Sequence, residues 1–110
     1  MAFVRKKIKV YPWPVEVQRP SETIAGEFEK TSFTGKFARL SRTELNKFED
    51  EDEYSALSKI LVGWEDVNEE DGTPISFSKT VLKEFSEDTD FVAAVLAAFR
   101  AFYANAQAKN

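Results

Sequence analysis

An acidic run at residues 66–72, Asp-Val-Asn-Glu-Glu-Asp-Gly, holds the oxygen-bearing side chains with which a protein could bind a metal ion. A calcium loop of the EF-hand type needs oxygen ligands at positions 1, 3 and 5, glycine at position 6 and a bidentate glutamate at position 12. A loop that begins at Asp66 places Phe77 at position 12, and a loop with Gly72 at position 6 places Ser78 there. Neither register supplies the glutamate, so the sequence favours a turn over a metal site.

The turn interpretation rests on Asp71 and Gly72, a residue pair that readily reverses the chain. The flanks, residues 64–67 and 73–77, are able to pair as short extended segments. We expect the acidic loop to be exposed and the aromatic residues around it to be substantially buried, namely Trp64, Phe77 and Phe85.

The composition removes most enzymatic chemistry. The chain has no cysteine and no histidine, which excludes disulfides, a thiolate nucleophile, a cysteine-based zinc site and the commonest general base. The carboxylates, lysines, serines and tyrosines that remain form no recognisable catalytic arrangement. We therefore predict a protein without catalytic residues, metal or cofactor.

The length of 110 residues fits one domain with an ordinary hydrophobic core. The first residues lack the apolar run of a signal peptide. The longest apolar stretch, Phe91 to Phe99, has nine residues, about half of a membrane span. These features predict a soluble protein that does not enter a membrane, and the absence of cysteine fits a reducing cytoplasm.

The charge is unevenly distributed along the chain. Residues 1–40 carry a net charge of +4 and residues 41–110 a net charge of −8. Such an arrangement can support head-to-tail association into a homo-oligomer or contact with a polar partner. Two differently charged solvated surfaces would give the same pattern, and the sequence leaves both interpretations open.

Residues 6–40 have the alternation of β-strands. The parity of the apolar side chains changes at Tyr11, and Pro12 and Pro14 mark the place, which predicts a bulge or break. A second change in the parity of the apolar side chains predicts an irregularity near residues 29–32. The expected structure is a twisted antiparallel ribbon of two bulged strands.

From residue 41 the pattern becomes mainly helical, through residue 108. Ser41 and Glu44 match the capping box that begins a helix. The acidic run 49–53 is expected to end this helix and begin the next, because acids are unfavourable at a helix C-terminus. That second helix carries an apolar stripe that ends at Leu61, and Gly63 is the predicted end of the helix. The fold class is thus α+β, an N-terminal antiparallel ribbon or small sheet followed by three to four helices in a single domain.

Two further helices are predicted after the loop. Ser78 can cap a short helix, and Asp88 and Asp90 place negative charge at the start of the last one. The last helix is nearly uncharged and rich in alanine, which would let another backbone approach closely. It is either the central core helix or an interface for a partner. The candidate partner-binding residues lie on its apolar face: Phe91, Val95, Leu96, Phe99, Phe102 and Tyr103.

Several segments, in their order and spacing, resemble the small tail assembly chaperones of long-tailed, non-contractile, siphovirus-like bacteriophages and prophages. The resemblance runs from residue 33 onward, with a looser match in the β ribbon. It is carried by 33–41 (FTGKFARLS), 44–45 (EL), 63–67 (GWEDV), 70–78 (EDGTPISFS) and an alanine-rich helix ending at Lys109 and Asn110.

The resemblance implies a non-enzymatic role in virion morphogenesis. Such proteins bind the tape measure protein and keep it soluble in the bacterial cytoplasm while the tail tube assembles around it. They are absent from the mature virion. In many relatives a ribosomal frameshift makes a longer form whose extension recruits the tail tube protein. The family supplies no catalytic residues and no fixed binding motif.

Two other function classes compete with this one. A small structural morphogenesis protein, such as a tail terminator or head–tail connector, would form a ring and remain in the virion. A nucleic-acid-binding module could use the basic residues before the ribbon, Arg5, Lys6, Lys7 and Lys9, together with Tyr11 and Trp13. The protein as a whole is acidic, with a pI near 4.9, so we predict no nucleic-acid partner.

Overall fold

The computed structural model describes residues 2–3, 10–48 and 50–108, with side chains to Ala104 in the last helix. It has a three-stranded antiparallel sheet and four helices, which confirms the predicted α+β class. Residues 6–9 of the predicted β region lie outside the described residues. The elements in chain order are β1 (Val10–Pro20), β2 (Phe28–Ala38), α1 (Arg42–Phe48), α2 (Glu53–Ile60), β3 (Leu61–Glu65), α3 (Lys79–Phe85) and α4 (Thr89–Ala108).

Strands β1 and β2 form a continuous antiparallel hairpin. Their register runs without a shift from the pair Val10 and Ala38 to the pair Pro20 and Phe28. The bulges predicted at the prolines and near residues 29–32 are therefore wrong. The parity argument assumed that every apolar side chain faces the core, but Val10 is 39% exposed and Phe28 is 61% exposed.

The register irregularity lies instead between β2 and β3. Gly35 pairs with Trp64 and Phe37 pairs with Leu61, with the shift between Lys36 and Phe37. Gly35 also permits close packing, since a Cβ atom there would lie 2.8 Å from Phe37 Cε2. The centre of the sheet thus has no room for another side chain at this position.

The predicted helix starts are confirmed by their caps. In the capping box of α1, the Ser41 N–H donates to Glu44 Oε1 at 3.0 Å and the Glu44 N–H donates to Ser41 Oγ at 3.2 Å. Asp52 caps α2 by accepting from the Ser55 N–H at 3.2 Å. Ser78 caps α3 by accepting from the Val81 N–H at 3.1 Å.

The predicted helix stop at Gly63 is wrong. Helix α2 ends at Ile60, and Leu61 already has the extended backbone that begins β3. Leu61 is fully buried in the sheet. The apolar residues after Ile60 therefore belong to a strand, and Gly63 lies within it opposite Lys36.

Helix α4 packs on the core face of the sheet, mainly against β1. Its buried aromatic rings meet those of the hairpin, with centroids 6.1 Å apart between Phe37 and Phe102 and 6.3 Å apart between Phe37 and Phe99. Phe48 of α1 closes the same cluster, 5.5 Å from Phe99. This packing makes α4 the central helix of the core.

Candidate functional site

A cleft of about 520 Å³ lies between the hairpin, the acidic loop and the segment that joins α3 to α4. Two other cavities among the described residues are smaller, at about 210 Å³ and 100 Å³. A volume in this range can hold several side chains of a ligand. Its lining residues are Val17, Arg19, Thr31, Ser32, Phe33, Asp66, Val67, Asn68, Glu69, Glu70, Ile75, Phe85, Asp88 and Phe91.

The floor of the cleft is apolar and aromatic. The Phe91 ring stacks on the Phe33 ring with centroids 5.8 Å apart, and it meets the Phe85 ring edge to face with centroids 5.1 Å apart. Trp64 packs against this floor, with its ring stacked on that of Phe85 at a centroid distance of 5.2 Å. The expected burial is confirmed for Trp64, which is 8% exposed, whereas Phe77 and Phe85 are half-buried. Phe85 keeps some exposure because it lines the cleft.

The acidic loop is a compact reversal, as the sequence predicts. Gly72 has φ +90°, and the Asp71 carboxylate accepts from the Thr73 N–H at 2.9 Å. Across the turn, the Glu69 N–H donates to the Thr73 carbonyl at 2.8 Å. The extended pairing is shorter than predicted, a single bridge between residues 68 and 74, because residues 64 and 65 pair with β2 instead.

The loop is attached to the core by Trp64. The Trp64 indole Nε1–H donates to the Ile75 carbonyl at 2.8 Å. The Ile75 N–H in turn donates to the Val67 carbonyl at 2.8 Å. This fixes the loop beside the cleft, where Asp66, Glu69 and Glu70 form an exposed acidic rim.

The lining of the cleft also includes an ion pair. Arg19 Nη2 lies 2.6 Å from Asp88 Oδ2, and Arg19 Nη1 lies 3.7 Å from Asp90 Oδ2. Asp88 also caps α4, accepting from the N–H groups of Asp90 at 3.0 Å and Phe91 at 3.2 Å. Partial burial raises the pKa of Asp88, but the hydrogen bonds and the Arg19 charge outweigh it, and the net pKa is lowered.

We predict that Asp88→Asn removes part of the acid sensitivity of folding. Because the folded-state pKa lies below the ordinary value of 3.8, the carboxylate stabilises the fold above that pH, and this stabilisation is lost as pH falls through the folded value. Asparagine keeps the cap acceptor, so the loss at neutral pH should be under about 1 kcal/mol. Asp88→Ala should cost about 1 kcal/mol more, through the cap.

The measurement is urea denaturation of both variants between neutral pH and about pH 3. A wild-type acid limb that Asp88→Asn leaves unchanged would contradict this role for the Asp88 charge. Arg19→Gln is the companion variant: it removes the cationic partner while the cap remains, so it should weaken the acid limb less than Asp88→Asn does.

The described residues contain no group of three or more acidic side chains placed to hold a metal ion. We predict that replacing Asp66, Glu69, Glu70 and Asp71 together by Asn and Gln leaves the melting temperature nearly unchanged, with or without calcium. Asn can keep the acceptor at position 71 that fixes the turn. Thermal unfolding in calcium and in chelator measures this. A large calcium-dependent rise for the wild type would contradict the turn interpretation.

The structure places the predicted partner-binding residues of α4 largely in the core. Phe91, Val95, Phe99 and Phe102 are at most 5% exposed, and Leu96 and Tyr103 are half-buried. A partner cannot reach the four buried side chains unless α4 separates from the sheet. The exposed face of α4 carries alanines and Arg100 instead. Partner binding by α4 stays a prediction, and of its six predicted residues Leu96 and Tyr103 are the two that a partner could contact in the folded protein.

The candidate nucleic-acid residues fall in two places. Arg5, Lys6, Lys7 and Lys9 lie outside the described residues. Tyr11 and Trp13 are half-buried against Phe102, with ring centroids 5.8 Å and 5.6 Å from it. These two rings contribute to packing between β1 and α4, which reduces the aromatic surface that bases could stack on.

Comparisons of the chain with protein-family models, with curated proteins and with solved structures found no match. Within the described part of the chain, no helix combines the length and the apolar character needed to cross a membrane.

Proposed function

We propose that this protein is a non-enzymatic tail assembly chaperone of a long-tailed bacteriophage or prophage. In this role it binds the tape measure protein and keeps it soluble in the cytoplasm of the bacterial host until tube subunits assemble around it. It then leaves the assembly and is absent from the mature virion. A longer, frameshifted form would bring the tail tube protein to the same complex.

The observation that carries the proposal is the order and spacing of the segments that resemble this family. In the fold, these segments lie together. Gly35 of the first segment pairs with Trp64 of the third, and Trp64 donates its indole N–H to Ile75 of the fourth. These contacts join three of the segments in one structural unit.

The surface available to a client also supports the proposal. The apolar face of α4 is occupied by the sheet, but the cleft beside the acidic loop presents apolar side chains, including Val67, Ile75 and Phe85, that are only half-buried. Apolar burial contributes roughly 25 cal/mol per Å². A few such contacts give weak binding, which suits a chaperone that must release its client.

The test is co-expression with the tape measure protein encoded near this gene. We expect the client to be soluble and to co-purify with this protein, and insoluble without it. Mass spectrometry of purified particles provides the second measurement. A client that stays insoluble, or this protein present in mature particles at a connector's copy number, would overturn the proposal in favour of a structural morphogenesis protein.

A further inference from the structure

We infer that the cleft is a docking site for a cationic segment of another protein, one in which Lys or Arg flanks one or two large apolar side chains. The inference goes beyond the proposed function, because it names the chemistry of the ligand that the cleft binds, whether or not the client is a tape measure protein. It rests on the shape, the floor and the charge of the cleft.

The charge of the cleft is strongly one-sided. Arg19 is the single cation among its lining residues, against the carboxylates of Asp66, Glu69, Glu70 and Asp88, which gives a net charge of −3. Arg19 is neutralised by its ion pairs with Asp88 and Asp90. An anionic ligand would therefore meet repulsion without a free cation to offset it.

The carboxylates of the acidic rim form no ion pair within the described part of the chain. None of the ion pairs found there includes Asp66, Glu69 or Glu70. Like charges held together on one short loop repel each other, and a ligand cation relieves that repulsion. Complementary charge would then orient the segment and accelerate its encounter with the cleft.

The floor supplies the other half of the recognition. Phe85, Val67 and Ile75 are half-buried, and they lie beside the fully packed rings of Phe33 and Phe91. A large apolar side chain of the ligand can complete the burial of this surface. Exposed ion pairs contribute little free energy each, so the apolar contact provides affinity while the rim selects for positive charge.

The loop geometry favours binding because it is already fixed. The indole of Trp64 and the backbone bond between Ile75 and Val67 hold the loop in place. Binding then costs little conformational entropy, because the loop that carries the acidic rim is already ordered. Asp66 itself is held at φ 66°, in the left-handed region that a non-glycine residue seldom adopts.

The experiment uses the full chain and a short fluorescein-labelled peptide in which Lys alternates with Leu and Phe. Fluorescence anisotropy should show saturable binding that weakens with added salt. A matched peptide with Glu in place of Lys should not bind, and neither should one with Ser in place of Leu and Phe. Equal binding of the Glu peptide would overturn the inference.

Variants locate the site. Glu69→Lys combined with Glu70→Lys should weaken binding of the Lys peptide at least about tenfold, which corresponds to roughly 1.4 kcal/mol. The matched control is Glu22→Lys with Glu27→Lys, the same charge change at exposed positions outside the cleft. It should change binding less than about twofold. Equal losses in both variants would show a general charge effect and overturn the inference.

Two further readouts separate the remaining explanations. Far-ultraviolet circular dichroism and melting establish that both double variants fold, since all four positions are exposed. Sedimentation of the free protein tests a second copy as the occupant, because residues 1–9 carry four basic and no acidic side chains. Self-association that Glu69→Lys with Glu70→Lys abolishes would assign the cleft to that second copy and overturn our choice of partner.

The outcome is independent of the proposed function. Peptide binding that requires the rim, combined with failure to solubilise a tape measure protein, would keep the site and reject the function. If the Glu69→Lys and Glu70→Lys variant solubilises the client normally and the wild type does not bind the peptide, the proposed function is kept and the binding site is rejected.

Discussion

Phe99→Ala is expected to lower the free energy of unfolding by about 3–5 kcal/mol. Phe99 is 3% exposed. Its ring lies 5.5 Å from that of Phe48, 5.6 Å from that of Tyr103 and 6.3 Å from that of Phe37. Removing it leaves a cavity where α1, α4 and the sheet meet, and the close-packed surroundings can only partly collapse.

Urea denaturation measures this change, and thermal unfolding should show a fall of roughly 10–20 °C. The matched control is Arg100→Ala on the next position, which is exposed and should change stability by less than about 0.5 kcal/mol. A Phe99→Ala protein as stable as the wild type would contradict the placement of α4 in the core.

The same experiment separates folding from partner binding in α4. Tyr103 is half-buried, and its hydroxyl donates to the Leu40 carbonyl at 3.3 Å. Tyr103→Ala should therefore leave more of the protein folded than Phe99→Ala. A folded Tyr103→Ala protein that no longer solubilises a client would support a contribution of α4 to binding; unchanged solubilisation would direct attention to the cleft.

Trp64→Ala is expected to cost a similar amount, about 3–5 kcal/mol. Trp64 is 8% exposed, and its ring contacts four others, those of Phe33, Phe77, Phe85 and Phe91, at centroid distances of 4.9–6.4 Å. It also donates the hydrogen bond that attaches the acidic loop. The variant should therefore lose both core stability and the fixed position of the loop.

Denaturation gives the first loss, and limited proteolysis within residues 66–75 gives the second. Trp64→Phe retains most of the ring contacts and removes the N–H, so it should cost about 1 kcal/mol or more. Trp13→Phe is the matched control, since Trp13 is half-buried and packs mainly through its ring against Phe102. Loop cleavage at the wild-type rate in both Trp64 variants would contradict the role of the indole.

The sequence was sufficient for features that depend on neighbouring residues. The capping box at Ser41 and Glu44, the Ser78 cap and the turn at Gly72 each depend on side chains within about one helical turn or one loop. These local rules predicted where helices begin and where the chain reverses. The wider pattern of the sequence also predicted an antiparallel hairpin followed by helices, the α+β class, but not β3 between α2 and α3.

Features that depend on tertiary contacts were missed. Whether Val10 and Phe28 face the core or solvent is decided by where α4 lies, which no local pattern specifies. Gly63 resembles a helix stop until β3 is placed beside β2. The ion pair of Arg19 with Asp88 joins residues far apart in the chain, so the cleft could not be assembled from the sequence. Of the parts that form the cleft, the sequence identified the acidic loop alone.

The prolines of β1 limit how copies of this protein can associate through the edge of the sheet. β1 is an edge of the described sheet, and Pro12 and Pro14 lie within it. Because proline has no N–H, this edge lacks donors that an added strand would need, and proline is tolerated in strands chiefly at such edges. Extension of the sheet from one molecule to the next is therefore blocked along the first half of β1. At the concentrations reached during overexpression, the exposed hairpin should resist fibril formation, and Pro12→Val with Pro14→Val would remove that protection.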